Sequence, residues 1–72
     1  MTEQERDIIA RAPFSYALTG ETAEQDARVR AMERGGLVLR TVTEAPGYGE
    51  FAQVRVLATL RGAETFLASA PR

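Results

Sequence analysis

The pair Gly35-Gly36 divides this chain into two hydrophobic periods, and that division constrains the fold more than any other feature. Before it, Val29 and Met32 stand at i,i+3 spacing among alanines at 23, 27 and 31, the pattern of an amphipathic helix. After it, Leu37 to Thr43 is rich in branched residues and Phe51 to Leu60 alternates, the period-two pattern of a half-buried strand. Ala52, Val54, Val56, Ala58 and Leu60 take one face; Phe51, Gln53, Arg55, Leu57 and Thr59 take the other. Two strands joined by a segment containing proline and glycine read as an antiparallel hairpin.

The helix before the glycines is expected over Ala23 to Arg34. Thr22-Ala-Glu-Gln25 offers a capping box, Glu24/Arg28 and Asp26/Arg30 supply acid-first i,i+4 pairs, and Gly35-Gly36 is the stop. Nearer the start, Thr2-Glu3-Gln4-Glu5 is a second capping box. The helix behind it places Ile8, Ile9 and Ala12 on one side, pairs Asp7 with Arg11 and ends before Pro13, because the residue ahead of proline avoids helical angles. Phe14 to Leu18 reads as a short helical turn or a core-anchoring loop. A closing helix is expected around Ala63 to Ser69, with Phe66 and Leu67 turned to the core and Pro71 ending the chain. The chain of 72 residues is thus expected to be one α+β domain, residues 1–72.

Composition narrows the chemistry. The sequence has no cysteine and no histidine, and all nine basic side chains are arginine. Thiolate metal sites, imidazole general bases and Schiff-base lysines are therefore excluded. The expectation is a protein without catalysis, metal or cofactor. No apolar run reaches the length of a membrane helix, and the acidic start Met1 to Arg6 is unlike a signal peptide. The reading is of a soluble, cytoplasmic protein with no membrane partner.

The net charge of -1 hides an asymmetry. Residues 1–26 carry six acids and two arginines; residues 27–72 carry four acids and seven arginines. Gly47-Tyr48-Gly49 has the outline of a phosphate loop, but such loops need a helix after them and usually a lysine. A strand follows here, lysine is missing, and Glu44 and Glu50 bracket the stretch. It reads as a turn, with Tyr48 either an interface anchor or a surface aromatic folded back on the hairpin.

From Val29 onward the chain resembles the winged helix-turn-helix domains of MarR-type and PadR-type bacterial regulators. "RVRAMERGGLVLR" is similar to the end of their recognition helix, "xxVxxLExxGLVxR", through Val29, Met32, Glu33, Arg34, Gly36, Leu37 and Val38. "VRVLATLRGAETF" is similar to their "V-x-L-T-x-K/R-G" exit from the wing through Thr59, Arg61 and Gly62. The resemblance implies a small winged-helix-like domain: helices, a β-hairpin wing and a short C-terminal helix. The family spends more residues between its first helix and its recognition helix, room for a full second helix. Here only "APFSYALTGE" fills that place, so the core is compressed.

The resemblance implies DNA contact through the front of the recognition helix and the wing. On this chain the helix front is Ala23, Glu24, Asp26 and Ala27, and the wing from Glu44 to Glu50 has no basic residue. Carboxylates facing phosphates repel. The favoured expectation is a non-enzymatic regulatory module acting by protein–protein contact on a basic or nucleic-acid-binding partner, through Tyr48, Phe51, Glu21, Glu24 and Asp26. Small inhibitors encoded by phages and mobile elements, anti-CRISPR proteins among them, fit this description in outline. The alternative is a dimeric DNA-binding transcriptional regulator whose phosphate contacts come from Arg28, Arg30, Arg34, Arg40 and Arg55. A homodimer is also expected, through the hairpin's second face (Leu37, Leu39, Phe51, Leu57) or the terminal helices.

Overall fold

A computed structural model describes residues 1–44 and 51–69 of the chain. Among these the element order is α1 (Glu3–Arg11), β1 (Phe14–Ala17), α2 (Ala23–Arg34), β2 (Val38–Thr43), β3 (Gln53–Ala58) and α3 (Leu60–Ala68). The fold is α+β: three helices on a three-stranded antiparallel sheet of order β1-β3-β2. It is compatible with a small winged-helix-like arrangement, although the order of helices and strands is not the one expected.

The difference lies at residues 14–17, which form a strand and neither a helical turn nor a loop. Phe14 pairs with Val56 and Tyr16 with Val54, and the Leu18 amide donates to the Ala52 carbonyl at 2.8 Å. A four-residue strand is too short to display its alternation in sequence. Pairing with a central strand stabilises it.

α1 starts with the capping box expected. The Glu5 amide donates to Thr2 Oγ1 at 3.2 Å, and the Thr2 amide donates to Glu5 Oε1 at 2.8 Å. That backbone hydrogen bond from Thr2 holds the Glu5 carboxyl below its ordinary pKa. The helix stops at Arg11, with Ala12 extended (ψ 142°) ahead of Pro13, as proline requires.

α2 has the bounds expected but not the cap. The Thr22 hydroxyl makes no cap hydrogen bond. It donates to the Ala17 carbonyl at 2.6 Å and accepts from the Thr19 amide at 2.9 Å, tying the turn to the end of β1. At the other end Gly36 takes φ +77°, a left-handed conformation in which a Cβ is strained. α3 starts three residues earlier than expected. Thr59 caps it by accepting from the Gly62 amide at 3.0 Å, and donates to the Gly36 carbonyl at 2.6 Å.

The sheet has one covered face. Ile8, Ile9, Val29, Met32, Val38, Val54 and Val56 form the buried core, with Phe14, Tyr16, Leu18, Leu37 and Phe66 packed against it. Of the alternating face read from sequence, Val54 and Val56 are buried, but Ala58 is exposed and Leu60 stands 77% exposed on α3. The other face carries Ser15, Thr41, Arg55, Leu39 and Leu57, of which only Leu57 is half-buried. Among the described residues nothing covers it. Arg6 joins α1 to α3, donating to the Phe66 carbonyl at 2.9 Å and to Ser69 Oγ at 2.8 Å, with its guanidinium over the Phe66 ring. Among the described residues no helix is long and apolar enough to cross a membrane.

Candidate functional site

The loop end of the sheet gathers several of the residues singled out from sequence. Thr43 pairs with Gln53, and Gln53 with Ala17, so the ends of β1 and β2 and the start of β3 lie together. The Leu18–Ala52 hydrogen bond extends that juxtaposition by one residue on each strand. Phe51 is 58% exposed here, just outside β3 rather than in it. Glu21 and Glu44 are exposed on the neighbouring turn and strand end, and Glu24 is exposed in the first turn of α2. Tyr48 lies outside the described residues.

Asp26 does not belong to this surface. It is only 6% exposed. Arg40 donates to it twice, from Nε to Oδ1 at 2.9 Å and from Nη2 to Oδ2 at 3.0 Å. The Tyr16 hydroxyl donates to Oδ1 at 2.6 Å. Burial alone would raise the Asp26 pKa, but the hydrogen bonds from Arg40 and Tyr16 and the Arg40 charge outweigh it and hold the carboxyl below its usual range. Burial and the hydrogen bond to Asp26 push the Tyr16 hydroxyl well above the ordinary phenol value. The triad ties β1, α2 and β2 together through one carboxylate. In sequence, spacing pairs Asp26 with Arg30, and Phe14 to Leu18 reads as a short helical turn or a core-anchoring loop. No local spacing connects Tyr16, Asp26 and Arg40.

The five arginines of the DNA reading do not form one strip. Arg40 is spent on Asp26, with its side chain 15% exposed. Arg55 lies on the uncovered face of the sheet, paired across strands with Ser15 and Thr41, whereas α2 packs on the opposite face. Arg28 lines a cleft of about 530 Å³ between α1 and α2, with Arg6, Arg11, Glu3, Asp7 and Gln25. Its Nη2 stands 3.9 Å from Glu24 Oε1. Asp7 and Arg11 pair at 3.0 Å on the rim of that cleft. Only Arg30 and Arg34 share a surface, the outward side of α2, where Ala23, Ala27 and Ala31 are exposed beside them.

Among the described residues no three His, Cys, Asp or Glu side chains gather closely enough to hold a metal ion. No protein-family model matches the chain, and neither a curated protein nor a solved structure does.

Proposed function

We propose that this chain is a non-enzymatic regulatory module that binds a partner protein with the loop end of a winged-helix-like domain. The observation carrying this reading is the exposure of Phe51 at that end of the sheet. The Thr22–Ala17 hydrogen bond brings the turn and first helical turn, with exposed Glu21 and Glu24, to the same end, where Glu44 is exposed. An exposed aromatic on the acidic end of a domain suits a partner with a basic surface around an apolar pocket. A nucleic-acid-binding protein is such a partner, and blocking one is the action of the small inhibitors that phages and mobile elements encode, anti-CRISPR proteins among them.

Arg30 and Arg34 on the outward side of α2 support a second reading, a dimeric DNA-binding regulator. Affinity capture from the host, using the wild type, Phe51→Ala, Glu21→Lys with Glu24→Lys, and Arg30→Ala with Arg34→Ala, separates the two. The first reading expects the captured partner to be lost with the phenylalanine and glutamate variants and kept with the arginine variant. Duplex DNA binding that weakens steeply with salt and disappears in the arginine variant establishes the second instead. Tyr48→Ala in the same assay decides whether the tyrosine contributes to the contact.

A further inference from the structure

The free edge of β2 has a self-complementary pattern of hydrogen-bonding groups. The Thr59 amide donates to the Leu37 carbonyl, which sets the parity of the ladder: Leu39, Thr41 and Thr43 bond to β3, while Val38, Arg40 and Val42 turn their amides and carbonyls outward. Glu33 Oε2 accepts from the Arg40 amide at 3.3 Å. That carboxylate caps one outward donor, a common way of guarding a sheet edge. Beyond it the outward groups run Arg40 carbonyl, Val42 amide, Val42 carbonyl and then the amide of Glu44. No partner reaches the Val42 amide or carbonyl among the described residues. Between Arg40 and Glu44 this half of the edge carries only threonine and valine, and none of the lysines or prolines that discourage strand addition.

We propose that a second copy of this chain adds to that edge, β2 against β2 in antiparallel register centred on Val42. In this register the two Val42 residues exchange both their hydrogen bonds across the two-fold axis. Each Glu44 amide donates to the Arg40 carbonyl of the other copy. The Arg40 amide is already held by Glu33, and the Val38 amide and carbonyl and the Glu44 carbonyl lie outside these four hydrogen bonds. Side chains agree with the backbone: valine meets valine on the axis and Thr41 meets Thr43 on both sides, favourable cross-strand pairs. The Arg40 guanidinium, opposite Glu44, stays with Asp26. Val42 is 39% exposed, so it has apolar area left to bury. The contact is a short strand pair and therefore a weak, concentration-dependent dimer. It leaves Phe51, Glu21 and Glu24 free and shares only Glu44 with the proposed partner contact. A substitution at Val42 leaves all four in place, so loss of the dimer and loss of the partner are read separately.

Sedimentation equilibrium of the full chain over a wide concentration range tests this. The wild type is expected to rise from 7.9 kDa towards twice that mass. Val42→Pro removes the outward amide and no bond to β3, a position where a strand tolerates proline, and is expected to stay monomeric with an unchanged far-ultraviolet spectrum. Val42→Thr keeps the amide and the branched side chain and is expected to dimerise as the wild type does. Val42→Lys leaves the backbone intact but sets two charges on the axis; it is expected to lose the dimer even where the proline variant fails to fold. A wild type that remains monomeric throughout, or a lysine variant that dimerises unchanged, overturns the proposal.

Discussion

A single buried carboxylate determines how three elements meet. Asp26 accepts from Tyr16 on β1 and twice from Arg40 on β2, so removing it leaves a guanidinium in the interior without its counter-charge. Such a loss typically costs about 3–5 kcal/mol. Asp26→Ala is expected to cost about 3 kcal/mol in a urea titration and Tyr16→Phe about 2 kcal/mol, the scale of a hydrogen bond to a charged group. The pH dependence has two flanks with opposite signs. The Asp26 pKa is depressed in the fold, so its contribution is present above the unfolded carboxyl pKa and is lost as pH falls through the folded value. The Tyr16 pKa is raised, so its contribution is full below the unfolded phenol pKa and declines as pH rises above it. Stability of the wild type is expected to fall on both flanks. The acid flank should flatten in Asp26→Asn and the alkaline flank in Tyr16→Phe.

At the scale of elements, the junction between α2, β2 and α3 is the tightest place in the chain. A Cβ on Gly62 would lie 2.9 Å from the Leu37 carbonyl carbon and closer still to its oxygen. These are backbone atoms just ahead of β2, held by the Thr59 amide, and cannot swing aside, so α3 would have to lift from the sheet. Gly62→Ala is expected to cost about 3 kcal/mol or more, the upper end for overpacking, and to expose Phe66 to solvent. Gly36→Ala, strained only by its φ of +77°, is expected to cost about 1 kcal/mol. Thermal unfolding of the two variants checks the order. The glycines also mark how far the sequence could be read. α2 was legible to the residue because its period, its charges and its stop are all local. The capping box at Thr22 was not, because the hydroxyl found a stronger acceptor in Ala17. β1 was hidden because two aromatic residues in four say buried without saying extended. Leu60 was assigned to the strand because the alternation runs on into the first turn of a helix. Asp26 was read from its spacing to Arg30, whereas its partner is fourteen residues away along the chain.

The whole molecule is electrically polarised along α2, whose amino-terminal end faces the loop end of the sheet. Exposed Glu21, Glu24 and Glu44 lie at that end, and exposed Arg30 and Arg34 along the helix towards the other. Acids at the start and arginines at the end suit the helix dipole, so the polarity helps hold α2 whatever the chain binds. It also limits any encounter with a duplex. A protein that neutralises Z phosphates gives a plot of log K against log salt with slope about -0.9Z. Five cooperating arginines would give a slope of about -4 to -5 on that relation. The fold buries Arg40 against Asp26, turns Arg55 to the uncovered sheet face and draws Arg28 into the cleft beside α1. That leaves Arg30 and Arg34, so any duplex binding is expected to show a slope no steeper than about -2. Arg55→Ala should leave both the slope and the stability as they are, since it forms no ion pair among the described residues. Arg40→Ala should destabilise the protein and leave the slope unchanged. A slope near that of five charges would require Arg55 and α2, which lie on opposite faces of the sheet, to meet the duplex together and Arg40 to leave Asp26.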